Sequence, residues 1–404
     1  MVRDDDRWWR GVSTSLDHDP RVVAAAISSL PGIGPHRLRL LINHLGALDA
    51  WRAVRGEVSA PGHVAAVLRE NDLHRVLRRA ATVQLLDRVA EALHAGNIRV
   101  LFVDDAQYPA SMRGDFAAPA VLFAIGDLAA FEQRRVGVIG TRAASASGRH
   151  FARRLGRELA ANGVAVVSGL ARGIDAAVHR GVLDAFDDEP QARRPPAAAA
   201  PARPIAVVAS GLDVVYPREH ASLWKHVAER GVIVSESPPG CAPDAFRFPL
   251  RNRMLAMASE LLVVVESRAT GGSMITVDEA AKRGITVMAV PGSPHSDTSA
   301  GTNLLISQGA ASVCDVVDVL VALGLDHRRV SASSDARPRL SREDRVVLDS
   351  LARRPMTFEQ LVADVDMPLA DVAMRLGRLE AQGWVVLNAG WWEALLPREL
   401  PFGR

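Results

Sequence analysis

Apolar residues recur every three or four positions through residues 21–52, RVVAAAISSLPGIGPHRLRLLINHLGALDAW, on both sides of LPGIGP. That period predicts two amphipathic helices joined by a tight turn, a helix-hairpin-helix arrangement. Gly32 and Gly34 in the turn would let two backbone amides face a phosphate at a helix start; the alternative is a turn that closes two helices and binds nothing. Helical patterns continue to about residue 95. At Ile98 the period shortens, and IRVLFV and AVLFAIGD predict two strands. A regular alternation follows. RVGVIG, VAVVSG, IAVVAS, VIVSES, LLVVVES and TVMAVPG are apolar and rich in β-branched residues, and they alternate with the helical patterns SGRHFARRLGRELAANG, IDAAVHRGVLDAF, REHASLWKHVAERG, RNRMLAMAS and MITVDEAAKRG. Strands without polar alternation are buried on both faces. The fold class is therefore α/β, a doubly wound, Rossmann-like, mostly parallel sheet.

The remaining segments set the domain organisation. Residues 20–95 form a helical, SAM-like or helix-hairpin-helix domain, residues 96–325 the sheet domain, and 326–340, a polar stretch, the linker. Residues 341–397 read helix, helix, helix, hairpin, a winged helix. Inside the sheet domain, 190–204 (PQARRPPAAAAPARP) has the composition of a flexible or polyproline-like surface loop. The winged domain carries six arginines against nine acidic residues. Its third helix opposes Arg375 and Arg378 with Asp371 and Glu380, which favours contact with protein over DNA.

Composition narrows the setting. With 404 residues and 48% hydrophobic content the chain can bury full cores, and a net charge of +2 leaves any nucleic-acid site to local charge. Lys225 and Lys282 are the only lysines, so the positive charge is almost all guanidinium, which suits bidentate phosphate contacts; a coding bias toward arginine explains it equally well. Two cysteines, Cys241 and Cys314, make no disulfide framework and no metal site. No run of about 20 apolar residues is present, and MVRDDDRWWR lacks the apolar core of a secretory signal. A cytoplasmic protein without a membrane segment is expected.

The candidate chemistry gathers at strand ends. VGVIGTRAASASG, residues 136–148, opens like a nucleotide-binding turn, but it lacks the G-x-G-x-x-G spacing, and Ser168 and Gly169 stand where a ribose-binding carboxylate belongs. No P-loop pattern occurs. GTR at 140–142, SGLARGID at 168–175, SGLD at 210–213, FRFPLRNR at 246–253 and TGGSMIT at 270–276 should converge on the carboxyl edge of the sheet. Their glycines permit close backbone approach, their hydroxyls donate, and several precede helices, as in phosphate sites. Arg142, Arg247, Arg251 and Arg253 add charge. Phe246 and Phe248 serve either as stacking faces for bases or as core, and Asn252 and Arg253 either as ligand contacts or as a local helix cap.

These motifs, with SESPPGCAPDAFRFPLRNRMLAMAS, VVVESRATGGSMITVDEAAKRGITVMAVPG and SAGTNLLISQGA, resemble the DNA-processing protein A (DprA/Smf) family across roughly residues 98–315. The resemblance implies a bacterial cytoplasmic protein that binds single-stranded DNA as a homodimer. It also implies that the protein protects incoming strands in natural transformation and helps load a RecA-type recombinase, with no cofactor, metal or catalysis. By position it implies a DNA pocket of Gly140, Thr141, Arg142, Ser168, Gly169, Gly211, Arg247, Phe248, Arg251, Asn252, Arg253, Gly271, Gly272 and Ser273. TGGSMITVDEA is also a distant echo of the phosphate and acid motif of nucleotide-base hydrolases of the lysine-decarboxylase-like group, with Glu279 as the acid.

Overall fold

The computed structural model describes residues 19–187, 200–325, 340–388 and 390–394. The chain divides into two compact units, residues 1–327 and 328–404. The predicted linker lies almost wholly outside the described residues.

The first unit opens with α1 (Pro20–Ser28), α2 (Pro35–Arg55), α3 (Gly62–Arg69), α4 (Leu73–Ala80) and α5 (Val83–Ala95). Asp19 caps α1 by accepting from the Arg21 amide at 2.8 Å, and Pro20 fills the first helical position, where no amide is needed. The turn to α2 passes through Gly32 at φ 79°, a left-handed conformation that a side chain resists. Gly46 at φ 70° breaks α2 in two, a kink that the apolar period does not announce.

The sheet region follows as β1 (Arg99–Phe102), α6 (Ala110–Arg113), β2 (Val121–Gly126), β3 (Arg134–Ile139), α7 (Ala146–Ala161), β4 (Val164–Ser168), α8 (Ile174–Asp187), β5 (Ile205–Val208), α9 (Ala221–Arg230), β6 (Val232–Ser235), α10 (Arg247–Met257), β7 (Leu261–Val264), α11 (Gly272–Ala281), β8 (Thr286–Ala289), α12 (Ala300–Ser307), β9 (Ala311–Ser312) and α13 (Val316–Ala322). These strands form one sheet in the order β1-β2-β6-β5-β4-β3-β7-β8-β9. β1 and β2 are antiparallel additions at one edge, and the rest run parallel. Every residue of β4, β5, β6 and β7 is buried, as strands covered by helices on both faces must be. The chain winds outward from β3 to β6, then returns to β7 on the other side of β3. The crevice between the ends of β3 and β7 is therefore the topological switch point.

The helical front does not stand apart from the sheet. Ile27, Leu41 and Trp51 share one core with Val100, Phe123, Trp224 and Ile233, and Arg21 Nη2 binds both oxygens of Asp105 at 3.0 Å. The expected surface loop at 190–204 lies outside the described residues up to 199. Its last residues, 201–204, are irregular but lie largely buried rather than on the surface. Ala202 is fully buried and its amide donates to the Ala160 carbonyl at 2.8 Å, which ties the end of the insertion to α7.

The second unit has α14 (Arg342–Arg353), α15 (Phe358–Asp364), α16 (Leu369–Ala381) and the antiparallel pair β10 (Val385–Asn388) and β11 (Trp391–Ala394), the winged-helix order. Ser341 caps α14, and Thr357 with Gln360 closes a capping box on α15. Trp392 packs on the core of Val347, Leu351, Leu361 and Leu376, whereas Trp391 remains 43% exposed. Both arginines of α16 turn inward to the buried carboxylate of Asp344, Arg375 at 3.2 Å and Arg378 closer still. Charge that would otherwise meet phosphate is thus offset by Asp344, although the Arg378 side chain stays 46% exposed.

Candidate nucleic-acid interface

At the switch point the protein fills its own crevice. The Thr141 amide donates to the Glu266 carbonyl at 2.7 Å. The Glu266 carboxylate, beyond the end of β7, accepts from the Ser145 amide at 2.9 Å and the Ser145 hydroxyl at 2.5 Å. Ser145 in turn caps α7. A Cβ on Gly148 would stand 2.3 Å from the Glu266 carboxyl carbon, so the glycine is what admits that carboxylate. The helix start that holds a pyrophosphate in dinucleotide folds is therefore occupied by an acid of the chain itself.

Arg142 rises from the same turn into solvent, with its guanidinium 4.3 Å from the centre of the Phe248 ring. Phe248 leans on Tyr216, ring centres 5.8 Å apart. At the first residue of α10, the Arg247 guanidinium lies 4.9 Å from the Phe246 ring, which is 60% exposed. Phe246 is thus no core residue. Arginine over an aromatic face is attractive by about 0.5–1 kcal/mol in exposed settings.

Beneath this surface Arg251 is buried, only 6% exposed, and donates Nη1 to the Val207 carbonyl at 3.0 Å. A Cβ on Gly169 would fall 1.7 Å from that Nη1. Burial lowers the Arg251 pKa to about 10; Asp175 opposes that fall and Arg142 adds to it. Burial also raises the carboxyl of Asp175, against the pull of Arg251 and Arg142. Gly169, Ser210, Tyr216, Phe248 and Arg251 line a small hollow that joins these groups.

Other residues of the expected pocket have structural partners. Ser168 is fully buried and its hydroxyl donates to the Val138 carbonyl at 2.7 Å. Asn252 donates to the Gly272 carbonyl at 3.3 Å, and Arg253 pairs with Glu236 at 2.5 Å, so these two behave as local ties. Ser273 donates to the Ser267 hydroxyl at 2.7 Å. Gly140 packs on Ile174, and Gly211 on the Pro238 carbonyl, at distances no Cβ would allow. Gly271 caps α11 without a side chain and Gly272 is exposed beside it. The structure thus brings Arg142, Gly169, Phe248 and Arg251 together, with Arg247 at the rim. Sequence reasoning missed Glu266, Tyr216 and Asp175. An acid at the end of the apolar run LLVVVES, next to a serine-capped helix, was the signal for the first.

The Glu279 carboxylate is held by Lys282 and Arg283, each at 2.6 Å. Burial raises its pKa, but these hydrogen bonds prevail and lower it, the reverse of what a general acid requires.

A family model described as DNA recombination-mediator protein A matches residues 99–324, and a DprA winged helix domain model matches 318–390. The chain belongs to the DNA recombination-mediator protein A family. The DNA processing protein DprA of Bacillus subtilis is 34% identical over 239 residues, 59% of this chain and 75% of that protein. The putative DprA of Mycobacterium tuberculosis is 33% identical over 332 residues, 77% of this chain and 81% of the relative. The X-ray structure of DprA from Streptococcus pneumoniae superposes with a TM-score of 0.60 at 26% identity, covering 76% of this chain and 98% of the other. The first matched span of this recombination mediator contains the whole sheet and every residue of the Arg142 site. Among the described residues no helix is long and apolar enough to cross a membrane.

Proposed function

We propose that this DNA recombination mediator grips the backbone of single-stranded DNA at the carboxyl edge of its sheet, without regard to sequence and without covalent chemistry. One observation carries the reading. The cofactor seat is filled by Glu266, while on the same edge the exposed Arg142 rests on Phe248. A cation over a flat ring suits a strand with an anionic backbone and unpaired bases, because the arginine takes a phosphate and the ring it leaves takes a base. Backbone and stacking contacts carry little base code. Family membership supports the wider role: a cytoplasmic homodimer that protects strands and passes them to a RecA-type recombinase. Arg142→Ala tests the site. Single-strand affinity should fall and the salt slope should shrink by about 0.7 when one phosphate is no longer neutralised, with the melting temperature kept. Normal affinity with an unchanged slope would place the strand elsewhere.

A further inference from the structure

The hairpin turn of the helical front and α10 wall two adjoining clefts. The first, about 500 Å³, is walled by the turn from Ser28 to Leu38, by Glu236 to Cys241, and by Phe246, Arg247 and Arg251. The second, about 460 Å³, is walled by His36, Arg37 and Arg39 on one side and Glu236, Leu250 and Arg253 on the other. Gly34, Pro35, Arg37, Glu236 and Leu250 line both, so the two run on as one groove. Arg251 also lines the hollow under Phe248, so the groove begins where the Arg142 site ends.

The groove is built for an anion. Five guanidinium groups line it against two carboxylates, and both carboxylates are engaged, Glu236 by Arg253 at 2.5 Å and Glu70 by Arg37 at 2.9 Å. Arg39 donates to the Phe116 carbonyl, and Arg247 stands 3.8 Å from Asp244. Two buried nitrogens of α10, Arg251 Nε and Arg253 Nη1, have no hydrogen-bond partner among the described residues, and Arg247 Nε has only the Asp244 carboxylate at 3.8 Å. A buried cationic donor without an acceptor is costly, and a phosphate oxygen is the acceptor it matches. The start of α2 lines both clefts, and it follows Gly34 with no side-chain cap, which leaves its first free amides and the positive end of its dipole beside them. Phe246 and Leu250 add exposed apolar surface at the mouth. The lining thus joins cations, an uncapped helix start and flat apolar faces, which is single-strand chemistry.

We propose that this groove is a second phosphate-binding site, which holds the continuation of the same single strand after it leaves Arg142 and Phe248. The proposal rests on the single-strand reading above and adds the helical front to the DNA-binding surface. The hairpin turn acts as the far wall of the strand path.

The test uses His36→Glu and Arg39→Glu, singly and together, in the full chain. His36 is exposed in the first turn of α2, where a carboxylate suits the helix dipole, so that variant keeps its fold while repelling phosphate. Affinities are measured by fluorescence anisotropy for oligo-dT of ~6 and ~20 nucleotides, lengths chosen to reach one site or both. The proposal expects the short strand to bind as it does to the parent. The long strand should bind at least about fivefold more weakly, with a salt slope smaller by about 0.7 for each phosphate that the variant no longer neutralises. Variants that match the parent at both lengths overturn the groove and leave the Arg142 site standing, and so does an equal weakening at both lengths. A parent that binds neither length refutes the single-strand reading itself, and the groove falls with it.

Discussion

Gly169→Ala is the sharpest probe of how the site is assembled. The new methyl would stand 1.7 Å from Arg251 Nη1 and 2.6 Å from its Cζ and Nη2, so the guanidinium must leave its seat. Leaving breaks the Nη1 bond to Val207 and removes the cation that faces the buried Asp175. A hydrogen bond made by a charged group contributes about 1.5–3 kcal/mol. The side chain has a place to go, since it also borders the 500 Å³ cleft, so the methyl itself adds little strain. A destabilisation of about 1.5–3 kcal/mol is therefore expected, with weaker single-strand binding because Arg251 no longer supports the floor under Phe248. Urea denaturation followed by far-UV circular dichroism reads the first, provided the transitions of the two units are fitted separately. In an Arg251→Ala background the same glycine substitution should cost less than about 0.5 kcal/mol, because its collision partner is gone. Equal cost in both backgrounds would refute the pairing of Gly169 with Arg251.

His179 is fully buried, and burial lowers its pKa to about 4 from an ordinary 6.5. Between those values the unfolded chain takes a proton that the folded chain refuses. Stability should therefore fall as pH drops through that window, by about 3 kcal/mol in all, and His179→Leu should flatten the pH profile of urea midpoints. Removing residues 330–404 should leave single-strand affinity within about tenfold, or 1.4 kcal/mol, because Arg375 and Arg378 are spent on Asp344; a larger fall in a gel shift, with assembly state preserved, would show that the winged unit holds DNA. Incubation with nucleoside monophosphates should release no free base. If base is released and Glu279→Gln abolishes it, the hydrolase reading gains and the binder reading loses.

Much of the fold is legible in the chain because it depends on periodicity. Apolar runs such as VAVVS and LLVV are short and rich in β-branched residues, which marks them as strands covered on both faces, and each alternates with a pattern of helical spacing. Element boundaries are less legible. The apolar pattern starts α10 at residue 251, but the helix begins at Arg247, because Pro249 falls in its first turn, where its missing amide costs nothing. At the site, the rule that ligands meet strand ends points to Arg142, in the turn after β3, and to Phe248, in the first turn of α10, and the structure sets these two side chains against each other. It says less about Ser168, Asn252 and Arg253, because a polar side chain there can equally bond a backbone carbonyl or a buried acid, as these three do. Proximity across the fold, such as the hairpin turn and α10 lining one groove, has no periodic signature.

If the carboxyl edge of the sheet holds single strands through their backbone and unpaired bases, as proposed above, strand state should decide binding and sequence should not. Competition tests it most directly. A labelled oligo-dT bound to the full chain at fixed salt is displaced by unlabelled strands of equal length, either single-stranded of mixed sequence or duplex. Single strands of any composition should compete nearly alike, and duplex, whose bases are stacked and paired away from Phe248, should compete far more weakly. Duplex that displaces the label as well as a single strand does would contradict it.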